Sequence, residues 1–324
     1  MSAGTPEPAA LVETPRPRAE GPVRPVAGAP AAASSSDEGP LSASSGWRLI
    51  LSSLARSRLG LLGGGIILFF LLFCFVGPHL YHTDQTTVNV LDALSPPSRA
   101  HPLGTDTEGF DELGRIMKGG QASLEVGLLT TLIATGIGTL YGALAGLAGG
   151  VLDSVLMRVV DTLLSIPILF VVLIVATRFS STVLTLSLLL GGFSWLVPSR
   201  LVRGEVLALK VRDFVAAARM MGATRRRLVY RHLVPNALGV VVVNITFQVA
   251  DAIIAVATLG FLGFGLYYPS IDWGDQLSTG ISYMQDGYWW LIYPVGAALV
   301  LVVMAFNLLG DALRDAVDVR LQRR

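Results

Sequence analysis

Few residues of this chain have the chemistry for catalysis. Among 324 residues there are two lysines, four histidines and one cysteine. A phosphate loop needs a lysine directly after a glycine, so that its amine reaches the β- and γ-phosphates. Lys118 follows Met117 and Lys210 follows Leu209, which excludes a Walker-type nucleotide site on this polypeptide. Cys74 lies in an apolar run and reads as a small buried hydrophobe, since one cysteine makes neither an intramolecular disulfide nor a cysteine-rich metal site. His79 and His82, at i, i+3 beside Pro78, either touch a metal or form a plain interfacial pair. No metal site and no bound cofactor are expected. Two other patterns stand out. Asn244, Gln248 and Asp251 recur at i, i+4, i+7 in an otherwise apolar segment, where a charge is costly enough to need a reason. They are either a polar seam between helices or the lining of a substrate path, with Asp251 attracting a cationic amino end. The second pattern is RDFVAAARMMGATRRRLVYRHLVPN, residues 212–236, which places six arginines between Arg212 and Arg231.

The elements that must carry these residues are apolar. The chain is 52% hydrophobic and only 15% charged, with a mean hydropathy of +0.61, too little charge to cover a soluble domain of this length. A net charge of +1 gives no reason to expect nucleic acid. An all-α integral membrane protein follows. A spanning helix takes roughly 20 apolar residues, and six segments qualify, at about 59–80, 124–150, 155–177, 179–199, 237–260 and 287–310. In the second, Gly127, Gly136, Gly138, Gly142 and Gly146 are small enough for neighbouring helices to approach closely. In the third, Arg158 and Asp161 are spaced to pair on one face. Residues 1–46 hold eight of the 17 prolines and almost no large apolar residue, so a disordered tail precedes a membrane domain at 47–324. The tail has no continuous apolar run and is not a secretory signal.

Six spans put both termini on one side of the membrane. That side collects 20 of the 24 lysines and arginines, so the termini and the arginine-rich insert are expected in the cytoplasm. Segments 79–123 and 261–288 then face outward. Tyr267, Tyr268, Trp273, Tyr283, Tyr288, Trp289, Trp290 and Tyr293 cluster near that interface, as an aromatic belt or as a ligand-stacking site.

The insert reads as helix, tight turn, helix. Asp213 caps a first helix whose apolar face is Phe214, Ala217, Ala218 and Met221. Gly222 is placed to end it in the left-handed conformation. Thr224 caps a second helix from Arg225 to Leu233, which Pro235 stops before the fifth span. Such a pair either lies on lipid headgroups through its arginines or presents a small rigid knob to a partner protein.

The same stretch resembles the EAA motif of ABC importer permeases, which reads Glu-Ala-Ala, three residues, Gly, nine residues, Ile-x-Leu-Pro. Ala217 and Ala218 supply the alanines, Gly222 follows after three residues, and Pro235 lies thirteen beyond it. Ala216, His232 and Val234 stand where the motif has Glu, Ile and Leu. HPLGTDTEGFDELGRIMKGG, GGVLDSVLMRVVDTLLSIP, RLVRGEVLALKVRDFV, FLGFG and AFNLLGDALRDAVDVRL extend the resemblance over residues 47–322, to the subunit-C type of the dipeptide/oligopeptide/nickel permease family.

This resemblance implies the type I ABC importer permease (MetI-like) fold, in a multi-pass protein of a bacterial cell membrane. It makes the insert a coupling helix, with Phe214, Ala217, Ala218, Met221, Gly222, Ala223, Arg225 and His232 against an ATPase and Pro235 ending the element. Arg225, Arg226 and Arg227 either pair with ATPase acids or stay solvated. The implied partners are a second homologous permease subunit, two cytoplasmic ATPase subunits that hold ATP and Mg2+, an extracytoplasmic substrate-binding protein, and the lipid bilayer. The chain itself is not an enzyme. Its substrate is a peptide, nickel or another small solute. Two other readings remain: a proton-coupled secondary transporter working through Asp251, and a membrane scaffold.

Overall fold

The structure, a computed structural model, describes residues 54–178, 181–228 and 233–322. Eleven helices carry the argument. They are α1 (Arg58–Leu80), α2 (Glu112–Ala148), α3 (Gly150–Leu164), α4 (Ile168–Ala176), α5 (Val183–Ser194), α6 (Leu196–Lys210), α7 (Asp213–Met220), α8 (Arg225–Leu228), α9 (Val234–Phe261), α10 (Trp273–Tyr283) and α11 (Tyr293–Gln322). Among the described residues there is no strand, only an isolated bridge between Thr105 and Asp111. The expected tail at 1–46 lies outside the described residues.

Four segments are long and apolar enough to cross a membrane, and two bent pairs, α3 with α4 and α5 with α6, bring the number to six. The protein is an all-α, multi-pass membrane protein. The breaks correct the expected third and fourth spans. Between α3 and α4 the chain turns by 72° at Ser165–Pro167, where proline has no N–H to continue the ladder. Between α5 and α6 it bends by 45° at Trp195, because Pro198 cannot donate to the carbonyl one turn back. The helix then runs on to Lys210, well past the expected end at 199. Similarly, α2 starts at Glu112, a dozen residues before its apolar stretch, capped by Asp111, whose carboxylate accepts from the Gly114 N–H at 2.9 Å.

Helix association in lipid gains little from excluding water and depends on close packing. Here α2 is the hub. Gly138, Gly142 and Gly146 sit at successive turns against the backbone of α6 at Trp195, Ser199 and Arg203, leaving no room for a Cβ. A core of Phe70, Cys74, Leu124, Ile253, Trp273 and Val302 joins α1, α2, α9, α10 and α11. Cys74 is fully buried, as its apolar setting implied. The expected Arg158–Asp161 pair is not formed; Arg200 of α6 reaches across to Asp161 instead, tying two helices rather than decorating one.

Candidate functional site

Residues 209–228, with Leu233 and Ala237, form an elbow at one end of the bundle. α7 closes with a Schellman turn: Gly222 takes φ +77°, and the Ala223 N–H bonds back to the Ala218 carbonyl at 3.0 Å. Thr224 then caps α8, accepting from the Arg227 N–H at 3.3 Å. Both features match the sequence reading. Asp213 sits inside the first turn rather than at the cap, where its charge still complements the helix dipole. Pro235 does not stop a helix. It occupies the first turn of α9, where its missing N–H is not needed. His232 and the side chains of Arg225 and Pro235 lie outside the described residues.

The apolar face of α7 is also rotated from its expected position. Val215 and Ala218 are the buried pair, packed with Leu209, Leu228, Leu233 and Ala237, while Ala223 is partly covered. This core returns the chain from α6 to α9 and so decides which side faces inward. Met221 is thereby turned out, 81% exposed, beside Met220 at 84% and Val211 at 83%, and Phe214 is also on the surface. Ala217 is half-buried and Ala216 exposed. The tip of the elbow is thus an apolar patch without a cover among the described residues.

Sequence reasoning missed the base of the elbow. Lys210 donates from Nζ to the carbonyls of Gly146 (2.6 Å) and Leu147 (3.1 Å), the last turn of α2. Arg203 forks onto Asp153 of α3 with bonds of 2.6 and 2.8 Å. The signal lay in charged residues at the edge of an apolar segment, each needing an internal partner. Together with the glycine contacts of α2 they make α2, α3, α6 and the elbow one mechanical body.

The polar trio of α9 is split. Asp251 is exposed and Asn244 half-buried, on a stripe with Val240, Phe247 and Ile254, whereas Gln248 is turned into the bundle and buried. Gln248 lies about 40° round the helix from Asn244, which is enough to set it against the packed side. A mid-span aspartate exposed in the isolated chain does not suit acyl chains, so this stripe faces another protein or a watery path.

The opposite end of the molecule, the loop end, is closed by hydrogen bonds. Asp106 pairs with Arg115 at 2.8 Å. Asp111 accepts from the Tyr81 hydroxyl and lies 3.0 Å from His101 Nδ1. Burial and the neighbouring carboxylate push the Tyr81 phenol up to about 12. Asp272 caps α10, accepting from the N–H groups of Gly274, Asp275 and Leu266, and burial raises its carboxyl above the usual range against those bonds. The aromatic belt needs correction here. Trp273 is fully buried, donating to the Ile116 carbonyl, and Trp290 is buried, donating to that of Thr105. Tyr267, Tyr268, Trp289 and Tyr293 remain exposed, as a belt requires. Beside this end, Lys118, Gln121 and Glu125 of α2 border a cleft of about 320 Å3. Among the described residues no cluster of three metal-ligating side chains occurs.

Comparison with known proteins bears directly on this architecture. The profile of binding-protein-dependent transport system inner membrane components matches residues 138–323, which contain the elbow, its base and the α9 stripe. That of the N-terminal TM domain of oligopeptide transport permease C matches residues 45–97. The oligopeptide transport system permease protein OppC of Bacillus subtilis is 33% identical over 91% of this chain and 97% of its own length. OppC of Salmonella typhimurium is 42% identical over 78% of the chain and 84% of its own length. The dipeptide transport system permease protein DppC of Bacillus subtilis is 34% identical over 83% and 84% respectively. The chain belongs to the family of binding-protein-dependent transport system inner membrane components.

Proposed function

We propose that this chain is a non-catalytic permease subunit of an ATP-driven peptide importer, with the elbow as its coupling element. The observation that carries the reading is the exposed tip of Val211, Met220 and Met221, uncovered among the described residues, on a base clamped to α2 and α3. An apolar tip in water asks for a partner, and a rigid base turns the partner's movement into movement of the spans. Closure of two cytoplasmic ATPases around ATP pushes the tip. Lys210 and Arg203 pass that displacement to α2 and α3, and the glycine contacts carry α6 with them. A second permease subunit faces the α9 stripe and completes the path, and an external binding protein delivers substrate to the loop end. The names of the relatives support peptides as substrates.

Replacing Met220 and Met221 together by serine tests the coupling. Each buried methionine contributes about 1.5–3 kcal/mol to an interface. The double variant therefore loses ATPase co-purification by at least tenfold while the permease keeps its melting temperature. Unchanged co-purification and uptake would falsify the assignment.

A further inference from the structure

We infer that a cavity at the elbow end of the bundle receives the carboxylate end of the peptide, with Arg314 holding the anion and Asn244 the last peptide bond; this rests on the peptide-importer reading above. The cavity, about 360 Å3, opens between α6, α9 and α11, with Leu201, Val243, Phe247 and Val317 as apolar walls and Asn244 and Arg314 as its polar groups. Asn244 Oδ1 is shielded from solvent and makes no hydrogen bond among the described residues. Arg314 is exposed and forms no ion pair among them, although Asp311 lies one turn before it on α11. A buried amide oxygen left unpaired is costly, so such an atom points to a ligand that completes it.

The chemistry of the lining selects the ligand. A guanidinium fork matches a carboxylate. A carboxamide offers both a donor and an acceptor, as a peptide bond requires. The apolar walls suit a terminal side chain. A hydrated metal cation finds only repulsion from Arg314.

Position supports the same ligand. Val240, Asn244 and Phe247 belong to the outward stripe of α9 that continues to Asp251, the stripe unsuited to lipid. Asn244 and Asp251 are seven residues apart, about 10 Å along the helix. Three extended residues span about the same distance. A tripeptide therefore matches the separation between Asp251, which attracts its ammonium group, and Asn244 at the cavity, where Arg314 attracts its carboxylate. The stripe orients a zwitterionic peptide with its carboxylate toward the elbow.

The test uses the complete transporter in nanodiscs, carrying Leu201→Cys as a reporter on the cavity wall. Maleimide labels this cysteine, and trialanine slows the labelling about tenfold at about ten times its dissociation constant, by simple occupancy. Trialanine amide at the same concentration does not. Arg314→Gln abolishes the protection, Arg314→Lys keeps part of it, and Asp315→Asn, on the neighbouring residue, keeps all of it. Equal protection by the amide, protection that persists in Arg314→Gln, or no protection at all overturns the inference. Slowing that follows the content of anionic lipid rather than trialanine also overturns it, and assigns Arg314 to a headgroup phosphate. Trialanine uptake by vesicles holding the unmodified transporter is measured in parallel. Uptake without protection sinks the cavity alone, whereas no uptake sinks the importer reading.

Discussion

The two ends of the bundle are finished to different degrees. At the loop end the buried carboxylates and indoles just described meet partners within the chain, and Gln85 Oε1 and Gln276 Oε1 are left without one among the described residues. Trp273 and Trp290 each spend their indole N–H on a backbone carbonyl, and Asp106, Asp111 and Asp272 are each held by several donors. At the elbow end apolar side chains are exposed, and Asn244 Oδ1 lacks a partner among the described residues. The first region is held chiefly by its own contacts, and the second leaves apolar surface exposed. A transporter subunit needs both: a fixed frame at one end and a surface for engagement at the other.

The largest effects that sharpen this contrast come from the core of the loop end. Trp273→Ala removes a fully buried ring and its indole hydrogen bond to the Ile116 carbonyl, and costs about 3–5 kcal/mol. Thermal unfolding of the purified protein in detergent shows this as a large drop in Tm. Met221→Ala at the elbow tip shifts stability by no more than about 0.5 kcal/mol, as for other surface positions. Similar losses from the two changes would erase the difference between the ends.

Next is the α2–α6 contact that joins the frame to the elbow. At Gly142 a Cβ would meet the Ser199 carbonyl and the Arg203 amide, so Gly142→Ala forces the helices apart. Overpacking of this kind costs about 1–3 kcal/mol. ATP-driven uptake falls further than Tm does, because the displaced surface is the one that transmits the elbow's motion. Gly136→Ala, whose Cβ enters open space, leaves both unchanged.

Much of this arrangement was legible in the sequence, for reasons that particular residues make plain. Gly222 declared its turn because only glycine adopts φ +77° without strain, and Thr224 declared its cap by type and position. Span existence followed from apolar length. What was hidden depended on distant partners. The bends at Pro167 and Trp195 are local, but the seating of α6 on α2 depends on Arg203 finding Asp153, fifty residues away. The face of α7 was misread because periodicity marks apolar residues without telling whether this chain or another covers them. Phe214, Ala217 and Met221 fit a helical face, yet Val215 holds the elbow core. Trp273 resembled a belt residue by type and neighbourhood, and only its contacts with Ile116 and Ser123 reveal a structural anchor.

The Arg203–Asp153 pair offers a finer test of the elbow's base. Its partly exposed setting screens the charges, so Arg203→Met costs only about 1 kcal/mol of stability. Uptake falls by more than that loss implies while ATPases still bind, since the tip is intact and only its connection to α3 is cut. Exchanging the residues, Asp153→Arg with Arg203→Asp, restores part of the uptake. A pair that served only stability would lower uptake and Tm together in every variant.

The smallest effect tests whether the loop end is closed at Tyr81. Its hydroxyl donates to the Asp111 carboxylate at 3.0 Å, a bond that exists only while the phenol is protonated. Burial and the Asp111 carboxylate push its folded pKa from the ordinary 10.0 up to about 12, so the linked stability is fully present below pH 10 and is lost as pH rises through about 12. Tyr81→Phe removes the bond at every pH. The two proteins therefore differ in Tm by a constant amount below pH 10, and the curves converge toward pH 12. Comparing the pair cancels the titration of the other tyrosines and the lysines. A difference that is absent at neutral pH, or that widens with alkali, shows that Asp111 is held by Gly114 and His101 without Tyr81, leaving the loop end less tightly closed than its other bonds suggest.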